Sequence, residues 1–494
     1  MNTFLENLID ATNYGLTENG AVKHNTTKSA ILDMFALCGA YRNRSNEDCI
    51  LAFQDALVED ETLALKCLFY LRDCRGGQGE RRFFRVCFRW LADNHIELAR
   101  RNLVNISEYG RWDDLIYATV GTSLEKDGLE LVYNQFKLDL DCKTPSLLGK
   151  WLPSENASAK ETKEMANIVR TYFGMSHKDY RKALSELRSR INIVEKLMSQ
   201  NRWDEIEFDK IPSRAGLIYK NAFARRDMIA KKYEAFAKDS NTKVNADTLY
   251  PYDIAHKAFY EGKFLPVKDA KRLMIQKYWD NLPNYYGERQ ENAIAVVDVS
   301  GSMDGRPMEA AVSLGAYIAE RGKGPFANHF ITFSDEPKLV PFKGVDIVDK
   351  FNRAKNTDWG MSTNIEAVFD LLLSTAQKKK TKQSSLPERL YIFSDMEFNA
   401  CMKRNNSKER IRDINSLNTL LENIAKEWER AGYELPKVIF WNLDARTQNI
   451  PALGGRFSYV SGLSPVMIET ILSGKDGWDL MIAKLLSERY EAVK

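Results

Sequence analysis

The 494-residue chain is poor in the residues that build transition-metal and redox centres, with five histidines and seven cysteines. The histidines stand singly, and Cys38, Cys49, Cys67, Cys74, Cys87, Cys142 and Cys401 form no Cys-x-x-Cys pair. An odd set without paired spacing excludes a zinc module and predicts reduced thiols in a cytoplasmic protein. No apolar run approaches membrane-spanning length, and Met1–Asn7 has no basic residue of the signal-peptide kind, so no membrane association is expected. The net charge is only +3, which is no whole-molecule signature of a nucleic-acid binder. No Ser-His-Asp, Cys-His or paired-carboxylate pattern stands out, and the expectation is a binding protein, not an enzyme.

What is present is a soluble globular composition, 44% hydrophobic and 28% charged. The chain exceeds the size at which one core stops growing, so at least two domains are expected. Residues 1–284 read as helical. Apolar residues recur at helical spacing over Ser29–Gly39, Asp48–Val58, Leu63–Cys74 and Glu80–Asp93, and one long helix is expected over Arg181–Met198. Short helices in succession suggest HEAT-like stacked pairs. Gly76-Gly77-Gln78-Gly79 lacks the Gly-Lys-Ser/Thr ending of a phosphate loop and reads as a tight interhelical connection.

Pro283-Asn284-Tyr285-Tyr286-Gly287-Glu288 reads as the linker into a second domain, residues 285–494. From Asn292 strands and helices alternate, which predicts an α/β doubly wound sheet. Ala293–Val297 is a short continuous apolar run of the kind a parallel sheet buries on both faces. Asp298, Ser300 and Ser302 follow at alternate positions, where a turning backbone aims three oxygen side chains at one point. Two later segments complete the pattern: the polar loop holding Thr363, and Asp395 at the end of a short expected buried strand, Arg389–Ser394. Ligands collect beyond the carboxyl ends of such strands, and hard cations such as Mg2+ take oxygen ligands of this type.

Asp-x-Ser-x-Ser, a later Thr and a strand-end Asp resemble the metal-ion-dependent adhesion site (MIDAS) of von Willebrand factor A domains. The resemblance implies that Asp298 and Asp395 bind Mg2+ directly or through water, that Ser300, Ser302 and Thr363 approach it, and that one position stays open for an acidic group of a protein partner. A helical domain joined to an A domain resembles the Ro autoantigen family, whose helical part is the TROVE module. Tyr70–Arg81 and Tyr109–Leu115 carry that likeness. Gly149–Glu155, Tyr180–Glu195 and Val460–Pro465 resemble a Ro-like branch of microbes and their viruses.

This resemblance implies a ring-shaped helical domain closed by the A domain, with RNA held in a ribonucleoprotein or in RNA quality control. Backbone binding requires Lys and Arg along a groove. Arg72, Arg75, Arg81, Arg82, Arg85 and Arg111 are the leading RNA contacts, followed by Lys178, Arg181 and Lys182. The alternative expectation is a metal-dependent protein-interaction module with no RNA role. A phosphotransferase is disfavoured, because the position two residues after Asp298 is Ser300 where a second carboxylate is wanted.

Overall fold

The computed structural model describes the chain from residue 14 onward, apart from 17–21, 25–26, 38–40, 42–43, 192, 287–290, 358–363, 395–398, 402–407, 411–413, 444–456, 462–464 and 475–476. It divides by packing into two units: residues 28–207 with 476–494, and residues 1–27 with 208–475. The first is helical and the second is built around a mixed sheet. No helix among the described residues is long and apolar enough to cross a membrane.

In the helical unit, Ala30–Leu37, Asn46–Glu59, Glu61–Arg72 and Arg81–Asn94 follow one another with short connections. Ser45 opens the second of these with a reciprocal capping box to Asp48, and Asp60 caps the third through the Leu63 N–H. Their inner faces bring Phe53, Leu68, Phe69, Phe84, Cys87 and Phe88 into a core without solvent exposure. Phe69 meets Phe84, Phe88 and Tyr109 edge-on, the arrangement that aromatic quadrupoles favour. The glycine turn connects the third and fourth helices, as its composition predicts. The Gln78 N–H donates to Tyr70 O and the Glu80 N–H to Leu71 O. A Cβ at Gly77 would lie 1.9 Å from the Tyr70 carbonyl oxygen, so only glycine fits there.

The helix expected over Arg181–Met198 is instead two, His177–Arg190 and Val194–Ser199. The break falls at Ile191 and Ile193, which adopt extended backbone. Their β-branched side chains are the poorer helix formers of that stretch. Near the C-terminus the helix Gly477–Leu485 is followed by a separate 3-10 turn, Glu488–Tyr490. That C-terminal segment belongs to the helical unit, where Tyr490 stacks on Tyr109 and packs edge-on against Tyr70.

The second unit contains a hairpin of β1 (Tyr14–Leu16) and β2 (Val22–His24), and a six-stranded sheet. The sheet strands are β3 (Ala293–Val297), β4 (His329–Thr332), β5 (Leu339–Pro341), β6 (Arg389–Ser394), β9 (Lys437–Asn442) and β10 (Phe457–Ser461), with a two-stranded β7 (Asn399–Cys401) and β8 (Lys408–Arg410) between them in sequence. The spatial order is β10-β9-β6-β3-β4-β5, parallel except for the antiparallel edge strand β5. Strands β3, β6 and β9 are buried on both faces, as their unbroken apolar runs require. Arg306–Arg321 packs against β3 so closely that a Cβ at Gly315 would lie 2.5 Å from Val297 Cγ2.

Four helices N-terminal to the expected linker, Ser213–Arg225, Asp227–Lys238, Pro251–Tyr260 and Ala270–Asp280, fold with the sheet unit. Arg272 donates to both carboxylate oxygens of Asp346, at 2.7 and 2.9 Å. Trp279 Nε1 donates to Glu320 at 2.5 Å. Packing therefore divides the chain at 207/208, ahead of the sequence linker at 284.

Candidate functional site

The carboxyl ends of four neighbouring strands terminate on buried polar side chains. Asp298 directly follows β3, Thr332 ends β4, Ser394 ends β6 and Asn442 ends β9, all without solvent exposure. Register brings Ser394 beside Asn442 and pairs Val297, the neighbour of Asp298, with Phe393, the neighbour of Ser394. The Asp298 N–H donates to Phe393 O at 2.9 Å and extends the ladder past the strand end.

The Asp298 carboxylate is held through both oxygens. Oδ1 accepts the Ser300 N–H at 2.8 Å and Oδ2 accepts the Ser394 hydroxyl at 2.7 Å. The loop then makes a 3-10 turn, Gly301–Met303, with the Ser302 backbone inside it, before Arg306 begins the next helix. Thr363 and Asp395 lie outside the described residues. The structure thus brings Asp298 and Ser300 together and adds Ser394, Asn442 and Thr332, which the sequence reading missed. Their signal was a polar residue ending an apolar strand, the feature that singled out Asp298. Among the described residues no three or more His, Cys, Asp or Glu converge. The donors at this edge are oxygen atoms of carboxylate, hydroxyl and amide groups, which suit a hard cation and not a thiophilic one.

The arginines of the helical unit have different environments. Arg72 is buried, and its Nε donates to Asp114 Oδ2 at 2.8 Å. Arg85 donates to Asp114 Oδ1 and Asp113 Oδ2, both at 2.8 Å, and covers the Tyr117 ring at 4.3 Å. Arg111 lies 3.9 Å over Trp151 and donates to Asp113 at 3.2 Å. Arg75 reaches Glu108 O. Arg82 donates to Tyr41 O and Asn46 Oδ1, each at 2.7 Å. Only Arg81 of this group is exposed and has no partner among the described residues. Lys178, Arg181 and Lys182 are exposed, and Arg181 reaches Glu155 at 3.4 Å.

The described residues thus form a helical unit and an α/β unit whose central strands end on buried polar side chains. Residues 17–148 and 146–284 match the domain of unknown function DUF2828, and residues 292–487 match the domain of unknown function DUF7788. The chain is 30% identical over 509 positions to uncharacterized protein L728 of Acanthamoeba polyphaga mimivirus, covering 94% of this chain and 85% of that protein. It belongs to the DUF2828 family. These matches correct the resemblance drawn from sequence: the segment likened to TROVE matches DUF2828, the segment likened to an A domain matches DUF7788, and neither indicates a Ro protein. The short motifs misled because each answers a local need. An oxygen-rich loop after a buried strand suits any sheet crevice, and Gly77 is required by the Tyr70 carbonyl.

Proposed function

We propose that this protein is a binding protein whose α/β unit takes a divalent cation, Mg2+ first among the candidates, at Asp298, Ser300 and Ser302, with Thr363 and Asp395 as further ligands. The cation holds an acidic group of a protein partner at its open position. The observation that carries this reading is the buried Asp298 carboxylate, oriented by Ser300 and Ser394 at the carboxyl edge of the central strands. Orienting donors behind a ligand carboxylate are what a preorganised cation site requires. The test is calorimetric titration of the full chain with Mg2+. Wild type gives saturable heat, and Asp298→Asn, which keeps the side-chain shape, loses it with an unchanged circular dichroism spectrum. Equal Mg2+ affinity in the two proteins defeats the proposal.

A second reading, RNA backbone binding by the helical unit, has the support of exposed Arg81, Lys178, Arg181 and Lys182. Charge reversal at Arg81 and Lys182 then flattens the salt dependence of RNA affinity. An unaltered salt slope counts against it.

A further inference from the structure

The glycine turn, the start of the Arg81–Asn94 helix and Arg111 border an open, shallow pocket of about 420 Å³ lined by Arg72, Cys74, Gly79, Glu80, Arg81, Arg82 and Arg111. Four guanidinium groups share this wall with a single carboxylate. We propose that the pocket binds a compact phosphate-class oxyanion, such as pyrophosphate or the terminal phosphates of a nucleotide or RNA end.

Three features support this. First, the Arg72 side chain lines the pocket, is only 3% exposed, and is fixed by Asp114 through its Nε and Nη2. A guanidinium already fixed in a pocket wall is preorganised for an anionic acceptor there. Second, Arg82 is held by neutral acceptors, Tyr41 O and Asn46 Oδ1, so its orientation is fixed without neutralising its charge. Exposed Arg81 stands beside it in sequence and lines the same pocket. Third, the like charges act on one another. Burial pushes the Arg111 guanidinium below its usual value, Asp113 and Asp114 oppose that, and the charges of Arg81 and Arg72 add to the lowering. An anion between them removes that repulsion.

Size and chemistry select the ligand class. The lining residues include no aromatic face for a base to stack on, since the Trp151 ring is already covered by Arg111. Guanidinium forks match phosphate oxygens in a bidentate way. The reading is independent of the cation site, which lies in the other unit.

The experiment is calorimetric titration of the full chain with inorganic pyrophosphate at low salt, for wild type, Arg81→Gln and Arg81→Lys. Saturable binding by wild type, weakened roughly tenfold in Arg81→Gln and by less in Arg81→Lys, supports the proposal. Arg81 is exposed and unpartnered, so both variants keep the wild-type melting temperature. Two competitors identify the source of the phosphate: ATP, and one RNA oligonucleotide with or without a 5′-phosphate. Displacement of pyrophosphate by ATP assigns the pocket to nucleotides; displacement by the phosphorylated RNA alone assigns it to RNA ends. Absence of saturable pyrophosphate binding, or equal affinity in Arg81→Gln, overturns the proposal.

Discussion

Arg489 and Asp73, separated by 416 residues of chain, form a two-point ion pair in which Arg489 Nη2 lies 2.8 Å from Asp73 Oδ1. Asp73 is fully buried and also accepts the Tyr490 hydroxyl at 2.8 Å and the Arg75 N–H at 2.9 Å. The C-terminal segment therefore completes the turn between the third and fourth helices. Removing Arg489 leaves a buried carboxylate short of its charge partner. Arg489→Ala is expected to cost about 2 kcal/mol, read as a lower urea midpoint for the helical unit.

The same carboxylate makes that contribution pH-dependent. Burial raises the Asp73 carboxyl, but Arg489, the Arg75 and Gly76 N–H groups and Tyr490 together bring it below its ordinary value of 3.8. A carboxylate depressed on folding stabilises above its unfolded value and loses that contribution as pH falls through the folded one. Wild type is expected to lose urea resistance below about pH 3.8, and Asp73→Asn to lose less over the same range. Identical acid profiles for the two proteins contradict this.

Gly77→Ala places a methyl group where the Tyr70 carbonyl oxygen stands. The turn has to open to admit it, breaking the Gln78 and Glu80 backbone bonds to Tyr70 and Leu71. A loss of about 3 kcal/mol is expected in thermal or urea unfolding.

In the sheet unit, Lys220 has a side chain 1% exposed and pairs with Glu261, which Lys257 also reaches at 2.6 Å. Despite burial, which raises it, Glu261 is pushed down to about 2 by these two ammonium groups. Glu261→Gln strands a buried ammonium and is expected to cost about 3 kcal/mol. Adding Lys220→Met recovers part of that loss, and a double variant no more stable than the single one counts against the pair as the cause.

Ser394→Ala removes the hydroxyl that donates to Asp298 Oδ2. If Asp298 holds a cation, Mg2+ affinity falls roughly tenfold, the usual effect of losing an orienting partner behind a metal ligand. Calorimetry reads this directly, and an unchanged affinity separates Ser394 from cation binding.

The two-part division into helices and an α/β sheet was legible because local patterns suffice for it. Ala293–Val297 and Leu390–Phe393 are apolar without interruption, and in a parallel sheet that leaves little choice. The edge strand Leu339–Pro341 was not legible, being three residues long and ending in proline. The fates of the arginines were also hidden. Arg72 meets Asp114 across 42 residues, and nothing near Arg72 announces that partner. The loop that begins at Asp298 was readable from its oxygen side chains, whereas the placement of Ser394 and Asn442 beside it depends on strand register, which only the assembled sheet fixes.

The chain crosses between its two packing units at 27/28, 207/208 and 475/476, while the two family segments meet between 284 and 292. Covalent order and folded membership are therefore interleaved. A cut between the family segments would part Arg272 from Asp346, Trp279 from Glu320 and Asp73 from Arg489, so the severed pieces remain complementary fragments of one another. Either family segment expressed alone would expose surfaces whose natural cover lies in the other, and co-expression of the two is the route by which a split chain would regain its fold.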